Sequence, residues 1–477
     1  MRIYTGRCVL FSAILVITFS PVFAETAVLM GKDVSVSIEQ SSGDFKWTAY
    51  ADLAENVSWS IGGPGAGIVM EGGKETVPVT FDRLEQLRED DAPVIVLYGT
   101  CGDTGVLVRQ RFSFCGDGRT LRIQTSLRAE NEACDVARVR LLDISVGGEV
   151  FQLTGPKYVS CPVFGKRIFA GIEHPSANCQ ADRESLCLSQ PVHLQLSSEW
   201  VALPGAVLGS ASREDRDMAG DEALRRAFLR YLDTVRWKPL DMHIHYNDWW
   251  TAPVPSSETF VLGNIAALKT ALFDTTGFFF DSYAMDMGWS DLHSVWGIDR
   301  KAFPEGFARI RDALDAARAR PGLWISPSSL YPPALDNKWL KSAGYETTVD
   351  IRNNFLAACL AKGGRYQTAM KNALLEYAKE GHFAHVKFDG YTARCDKEVH
   401  GHPAGDESYL PVANGLMDIF DALHAQDPGI VLEPTCFGYN PSPWWLMHTP
   451  FIIGPFGDDS PHGRCPAPEW VEAMITG

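Results

Sequence analysis

The chain has 477 residues, 45% of them hydrophobic, 21% charged and 11% aromatic, a composition that excludes collagenous, low-complexity and wholly disordered proteins. Lys and Arg number 43 against 59 Asp and Glu, for a net charge of −16, and no basic run is present to neutralise successive phosphates, so nucleic acid is excluded as a partner. At roughly 150 residues per domain the length accommodates two large domains or three smaller ones.

Residues 1–24 place Arg2 and Arg7 ahead of an apolar run from about Val9 to Phe19, then a small-residue site ending at Ala24. This is the layout of a cleaved secretory signal. The run is shorter than the roughly 20 residues needed to span a bilayer, so the mature chain is expected to be exported, periplasmic or extracellular, and not held in a membrane. An oxidising compartment allows pairing among Cys101, Cys115, Cys134, Cys161, Cys179 and Cys187, with a connectivity that spacing does not reveal. The sequence contains no Cys-x-x-Cys pair and no His-Glu-x-x-His helix, so no metal is expected, and no cofactor.

From about Val28 to Pro204, short β-favouring runs such as Val34–Ile38, Val94–Tyr98 and Leu121–Thr125 alternate with Gly, Asp, Asn and Pro clusters. That spacing predicts a β-sandwich over residues 25–212. A helical stretch, Glu222–Val235, predicts a connector over 213–238. After Pro239 the rhythm becomes apolar strand, polar loop, amphipathic helix, as in repeated βα units. Six strands are predicted, at 241–246, 277–282, 322–327, 385–390, 430–435 and 450–455, with helices such as 307–319 and 369–380 between them. The expected fold class is therefore multidomain, a β-sandwich followed over 239–477 by a (β/α)8 TIM-type barrel lacking its last strands.

In such barrels the chemistry sits at the C-terminal ends of the strands. Those ends carry Tyr246 to Trp250, Asp281, Asp286 to Trp289, Lys387 to Asp389, Glu433 with Cys436, and Asp458 with Asp459. Carboxylates accept hydrogen bonds from hydroxyls and aromatic faces stack on sugar rings, so the set favours a carbohydrate over a phosphate or dinucleotide. No Gly-x-Gly-x-x-Gly or Walker loop competes. His243 and His245 alternate along a strand and read as a polar barrel layer.

The order VKFDGY at Asp389, DMGW at Asp286, LEPTCFG at Cys436 and GDD at Asp458 resembles the retaining α-galactosidases of glycoside hydrolase family 36 and their clan. The resemblance runs from about Asn247 to Asp459. It implies Asp389 as nucleophile, Asp458 as general acid/base with Asp459 as second choice or substrate contact, and Lys387 as a ligand for sugar hydroxyls. It further implies Cys436 and Gly438 at the 2-hydroxyl, Trp249 as a pocket wall, and Arg352, Asp286 and Trp289 as substrate contacts. An oligosaccharide or glycan is the implied partner.

A retaining glycosidase needs an ionised carboxylate to attack the anomeric carbon and a protonated one about 5 to 5.5 Å away. Lys387, taken to lie off the face of its strand that carries Asp389, is expected to act on that carboxylate only through the field of the pocket. Plainer roles exist for the same residues: an N-cap or ion pair for Asp389, a turn for Asp458-Asp459-Ser460-Pro461, core packing for Trp249, Trp250 and Trp289, and a buried thiol or a disulfide with Cys465 for Cys436.

The chain departs from the family pattern in having Met287 after Asp286 where two adjacent aspartates are usual, Ser326 and Ser328 in place of a Glu, and Phe437 and Tyr439 in place of a glycine-rich run. Loss of a polar contact at Met287 shifts the expected preference toward a ring with altered C6, such as a β-L-arabinopyranoside. The alternatives are thus a β-L-arabinopyranosidase, an α-N-acetylgalactosaminidase, or a non-catalytic carbohydrate-binding protein. The sequence stops in what reads as the helix after the sixth strand, so a fragment of a longer gene is expected.

Overall fold

The computed structural model describes residues 26–453 except 157, 213–214, 216–217, 219, 239–240, 332–333, 351–353, 382 and 436–440. The N-terminal half is built from two antiparallel sheets. One runs in the order Thr26–Met30, Val34–Ser41, Asp44–Asp52, Val57–Met70, Cys134–Val146, Ser185–Leu196, Asn178–Asp182, with Val77–Pro78 beside Val57–Met70. The other includes Ile168–Ile172, Ala206–Ser210, Leu121–Ala129, Val106–Phe114, Ala92–Thr100 and Thr80–Glu89 in that order. Strand side chains point alternately to opposite faces, and along Val106–Phe114 Leu107, Arg109 and Arg111 are less buried than the residues between them. The inward set from both sheets, including Val36, Tyr50, Ile68, Leu97, Val108, Leu127, Val139 and Leu188, forms one continuous core. The eight cysteines among the described residues are all free thiols, including the six expected to be available for pairing.

The helix Gly220–Val235 leaves the sandwich and packs on Ile168–Ile172 and Ala206–Ser210. Phe169, Val207, Phe228 and Tyr231 close around Trp444, which comes from the short 3-10 helix Pro443–Met447 after the last parallel strand. The Trp444 indole donates to the Tyr231 hydroxyl (3.1 Å), which itself donates to Glu173 (2.8 Å). Gly171 is required at this junction: a Cβ there would sit 2.2 Å from the Trp444 ring.

The C-terminal half holds five parallel strands in sequential order: β1 (His245–Asn247), β2 (Ser282–Met285), β3 (Arg320–Ile325), β4 (His385–Asp389) and β5 (Val431–Thr435). Helices Glu258–Leu268, Ala308–Asp315, Arg365–Gly381 and Tyr409–Gln426 make the crossovers, the connectivity of singly wound βα units. Their apolar faces share one core with the strands.

Two predicted strands are displaced. The 277–282 run is not a strand: Gly277 adopts φ 74° to end the preceding helix, the three phenylalanines cluster on one another, and pairing begins at Ser282. Asp281 consequently lies at the N-terminal end of β2, where its carboxylate accepts from the Ile244 amide (2.7 Å), and not at the functional end. Likewise β1 starts at His245 in place of 241, and Met242 is exposed. Of the predicted sixth strand, 450–453 form no strand, although the Ile453 amide donates to Pro434 O (3.0 Å); 454–455 lie outside the described residues. Among the described residues no helix is long and apolar enough to cross a membrane.

Candidate active site

Side chains two apart on a strand share a face, so each parallel strand sends a column of residues to one face of the sheet. On β4 the column is His385, Lys387 and Asp389, rising toward the C-terminal end. This corrects the expectation that Lys387 lies off the face of Asp389: both act on the carboxyl of Asp286, Lys387 Nζ standing 3.6 Å from its Oδ2. Lys387 and Asp286 are both buried, at 4% and 3% exposure, so the pair is held in a medium where its attraction is little screened.

Asp389 ends β4. Its Oδ2 accepts from the indole N–H of Trp324 (3.1 Å), while its Oδ1 is buried and has no hydrogen-bond partner. Trp324 comes from the neighbouring strand β3, paired with Lys387 in register, so its ring spans toward the strand end. Asp286 is placed just past β2: its Oδ1 accepts from the Met287 amide (2.8 Å) and its Oδ2 has no hydrogen-bond donor. Burial pushes the Asp286 carboxyl above its ordinary range, against the pull of Lys387. Asp286 Oδ2, ion-paired with Lys387, and Asp389 Oδ1 are thus two carboxylate oxygens without a hydrogen-bond donor, each able to accept a hydrogen bond from a hydroxyl.

Behind this layer lies Asp248, which is 1% exposed. It accepts from the Asp286 amide (2.7 Å) and the Tyr283 hydroxyl (3.1 Å), and burial raises its carboxyl to about 6. Asn247 caps the short turn Asp248–Trp250 by accepting from the Trp249 amide (3.0 Å), which leaves Trp249 37% exposed at the rim. Trp289 is placed differently from Trp249. It is 1% exposed, its N–H on Trp324 O (3.1 Å) and its ring against Trp296, Phe307 and Tyr377, a support for Trp324 from below and not a surface that a ligand reaches. Met287 is buried in the same aromatic core.

Further toward the N-terminal ends of the strands, His243 and His245 belong to a polar cluster with His385 and Glu433. His385 Nε2 lies 2.5 Å from Glu433 Oε2, His245 Nε2 lies 3.6 Å from the same oxygen, and His243 Nε2 meets Ser282 Oγ at 2.9 Å. Burial pushes His245 down to about 4, helped by His385, and also lowers His243. For Glu433 burial acts upward, but the bond and charge of His385 outweigh it and the carboxyl sits below its ordinary value. Gly322 on β3 makes room, since a Cβ there would lie 3.2 Å from His385 Cβ and Nδ1. His245, His385 and Glu433 have metal-ligand chemistry, and His385 bonds Glu433 directly.

Arg352, Cys436, Gly438, Asp458 and Asp459 lie outside the described residues. Asp286, Lys387 and Asp389 are brought together, with Trp249 at the rim. Sequence reasoning missed Trp324, the donor to Asp389. The available signal was alternation in GLWISP, which puts Trp324 on the inward face with Gly322 and Ser326.

No family profile matches the sequence, and no curated protein matches it. Solved structures do match in fold. A family 36 α-galactosidase from Geobacillus stearothermophilus superposes with a TM-score of 0.66 at 11% identity, covering 91% of this chain and 75% of its own. The galactosidase domain of an α-galactosidase-sucrose kinase gives 0.63 at 14% identity, covering 91% and 74%. An α-galactosidase from Lactobacillus brevis gives 0.59 at 12% identity, covering 90% and 72%. At these identities the likeness is one of fold, a β-rich domain followed by an α/β domain.

Proposed function

We propose that the chain is a retaining exo-α-glycosidase of the α-galactosidase kind, acting on terminal α-galactosides of oligosaccharides or glycans. The observation that carries the reading is Asp389 at the C-terminal end of a parallel strand, one oxygen positioned by Trp324 and the other buried without a donor. The fold likeness to family 36 α-galactosidases, one of them crystallised with raffinose, supports the same reading.

In this mechanism the free oxygen of Asp389 attacks the anomeric carbon while the aglycone oxygen takes a proton from a carboxylic acid, assigned by resemblance to Asp458 with Asp459 as second choice. Water then hydrolyses the glycosyl ester, the same carboxylate acting as base. Trp324 fixes the attacking carboxylate so that the reaction spends little on orienting it. Lys387 and Asp286 bind ring hydroxyls, with Arg352, Cys436, Gly438 and Asp459 completing the pocket and Trp249 walling its rim. The chemistry needs no cofactor. Export after cleavage near Ala24 belongs to the same proposal and is checked by the N-terminus of the secreted chain.

The test is proton NMR of the chain with an aryl α-galactoside, following the first anomer released. Early α-galactose, abolished in Asp389→Ala, is the expected result. Early β-galactose, or turnover that survives Asp389→Ala, overturns the nucleophile assignment. Asp458→Asn should keep activity only on aryl galactosides whose leaving group needs no protonation. Because Met287 offers no polar contact, aryl β-L-arabinopyranoside is run in parallel, and faster turnover of it identifies the arabinopyranosidase alternative. Sugar binding by the wild-type chain with no turnover of either substrate, persisting when Asp389 and Asp458 are both replaced, identifies a binding protein.

A further inference from the structure

Outside the pocket, the long connection after β4 meets the hairpin that precedes the Arg365–Gly381 helix. The hairpin pairs Thr347–Asp350 with Phe355–Ala358, and Cys359 follows directly. The connection runs from residue 390 to 408 with only two single turns of 3-10 helix, and it carries Cys395, His400 and His402. Loops of that length in a compact domain need something to hold them.

Four donor atoms converge where the two segments meet. Cys359 Sγ lies 3.3 Å from His402 Nε2, Cys395 Sγ lies 3.3 Å from His400 Nδ1, and one ligand atom from each of the four residues falls within 4.8 Å of all the others. A tetrahedral zinc ion with Zn–S near 2.3 Å and Zn–N near 2.0 to 2.1 Å sets its sulfur and nitrogen ligands about 3.5 Å apart. The two measured edges therefore already approximate those of a filled site. Both cysteines are buried, at 2% and 1% exposure.

The surroundings prepare the donors. His402 Nδ1 lies 2.7 Å from Pro403 O, so its N–H is spent there and the lone pair falls on Nε2, which faces Cys359. The backbone is pinned independently of any ion: the Cys359 amide donates to Glu346 O (2.9 Å), the Cys395 amide to Ser408 Oγ (2.8 Å), and Gly405 N to Cys395 O (2.9 Å).

We propose that Cys359, Cys395, His400 and His402 form a structural zinc site that clasps the loop after β4 to the hairpin. Soft thiolates with imidazoles in a tetrahedral set select zinc. Each thiol releases one proton on binding, so two thiolates balance the dication and the buried complex is neutral. All four positions are taken by protein, so no site remains for an activated water, and the role is structural. Thr392, in the same loop, donates to Asp350 (2.9 Å), so the clasp secures the segment that leaves Asp389. The proposal does not depend on the glycosidase reading.

The full chain, expressed with zinc under reducing conditions and dialysed, is analysed for metal by mass spectrometry. About one zinc per chain is expected, falling at least tenfold in Cys395→Ser and in His402→Ala. Should these variants fail to fold, wild-type protein decides the matter. Cobalt(II) substitution must give the visible bands of a tetrahedral ion with thiolate charge transfer in the near ultraviolet, and a mercurial reagent must release the zinc. Metal-free protein that takes up no cobalt, or a Cys359–Cys395 disulfide in a non-reduced digest of the zinc-supplied protein, overturns the proposal.

Discussion

Replacing Asp248 by Asn should stabilise the protein at alkaline pH and not at acid pH. Burial raises this carboxyl from 3.8 to about 6, a difference worth ~3 kcal/mol between its two protonation states. Below the ordinary value, folded and unfolded chains are both protonated and the group is neutral to stability. Between about pH 4 and about pH 6 only the folded chain holds the proton, and above that range the folded chain must bury a charge. Its effect on stability therefore worsens as pH rises through that window. Asparagine keeps an oxygen for the Asp286 amide but turns an NH2 toward the Tyr283 hydroxyl, a rearrangement costing about 1 kcal/mol. The expected net gain is ~1–2 kcal/mol at about pH 8, falling to about zero at about pH 4.5. Urea unfolding followed by tryptophan fluorescence, reported as variant minus wild type, cancels the titrations common to both chains. A difference that does not change with pH, or that favours the variant more in acid, would falsify the assignment of a strained carboxylate.

Three further outcomes follow from other contacts. Trp324→Phe removes the donor to Asp389 while keeping most of the ring, and a hydrogen bond to a charged group is worth about 1.5–3 kcal/mol; kcat/KM on an aryl α-galactoside should fall roughly 10- to 150-fold, and an unchanged value would remove Trp324 from the mechanism. His385→Leu leaves Glu433 buried without its hydrogen-bonded partner, which should cost about 3–5 kcal/mol at neutral pH. Because the lowered Glu433 carboxyl stabilises wild type above its unfolded value and loses that effect as pH falls, the gap to wild type should narrow in acid unfolding titrations; a constant gap would point to lost packing alone. Gly415→Ala would put a Cβ 1.7 Å from Leu360 O, forcing the Tyr409–Gln426 helix away from the segment that follows Cys359; thermal unfolding should move down by several degrees, and an unshifted midpoint would mean that the helix has room to spare.

Local pattern was enough for the sequence to declare a β-rich half, a helical link and a βα-repeating half, because period-2 and period-3.6 burial are written in consecutive residues. For Lys387 and Asp389 the strand was legible but its face was misjudged: residues two apart share a face, so both point the same way. The 277–282 run misled as well: three adjacent phenylalanines look like a buried strand, and only the left-handed Gly277 and the contacts of the helix before it show that pairing starts later. What required tertiary structure is what distant segments do to one another. Trp324 becomes the partner of Asp389, and Trp289 a support beneath it, only when β3 lies beside β4. Asp248 becomes a raised carboxyl only when the fold buries it, against the downward pull of its hydrogen bonds from Tyr283 and the Asp286 amide. Cys359 is remote in sequence from Cys395, His400 and His402, so no spacing motif announces the set, and their donor atoms become neighbours only because a hairpin and a loop from different crossovers meet. Desolvation and three-dimensional proximity set the chemistry at each of these places, and neither is a property of residues read in order.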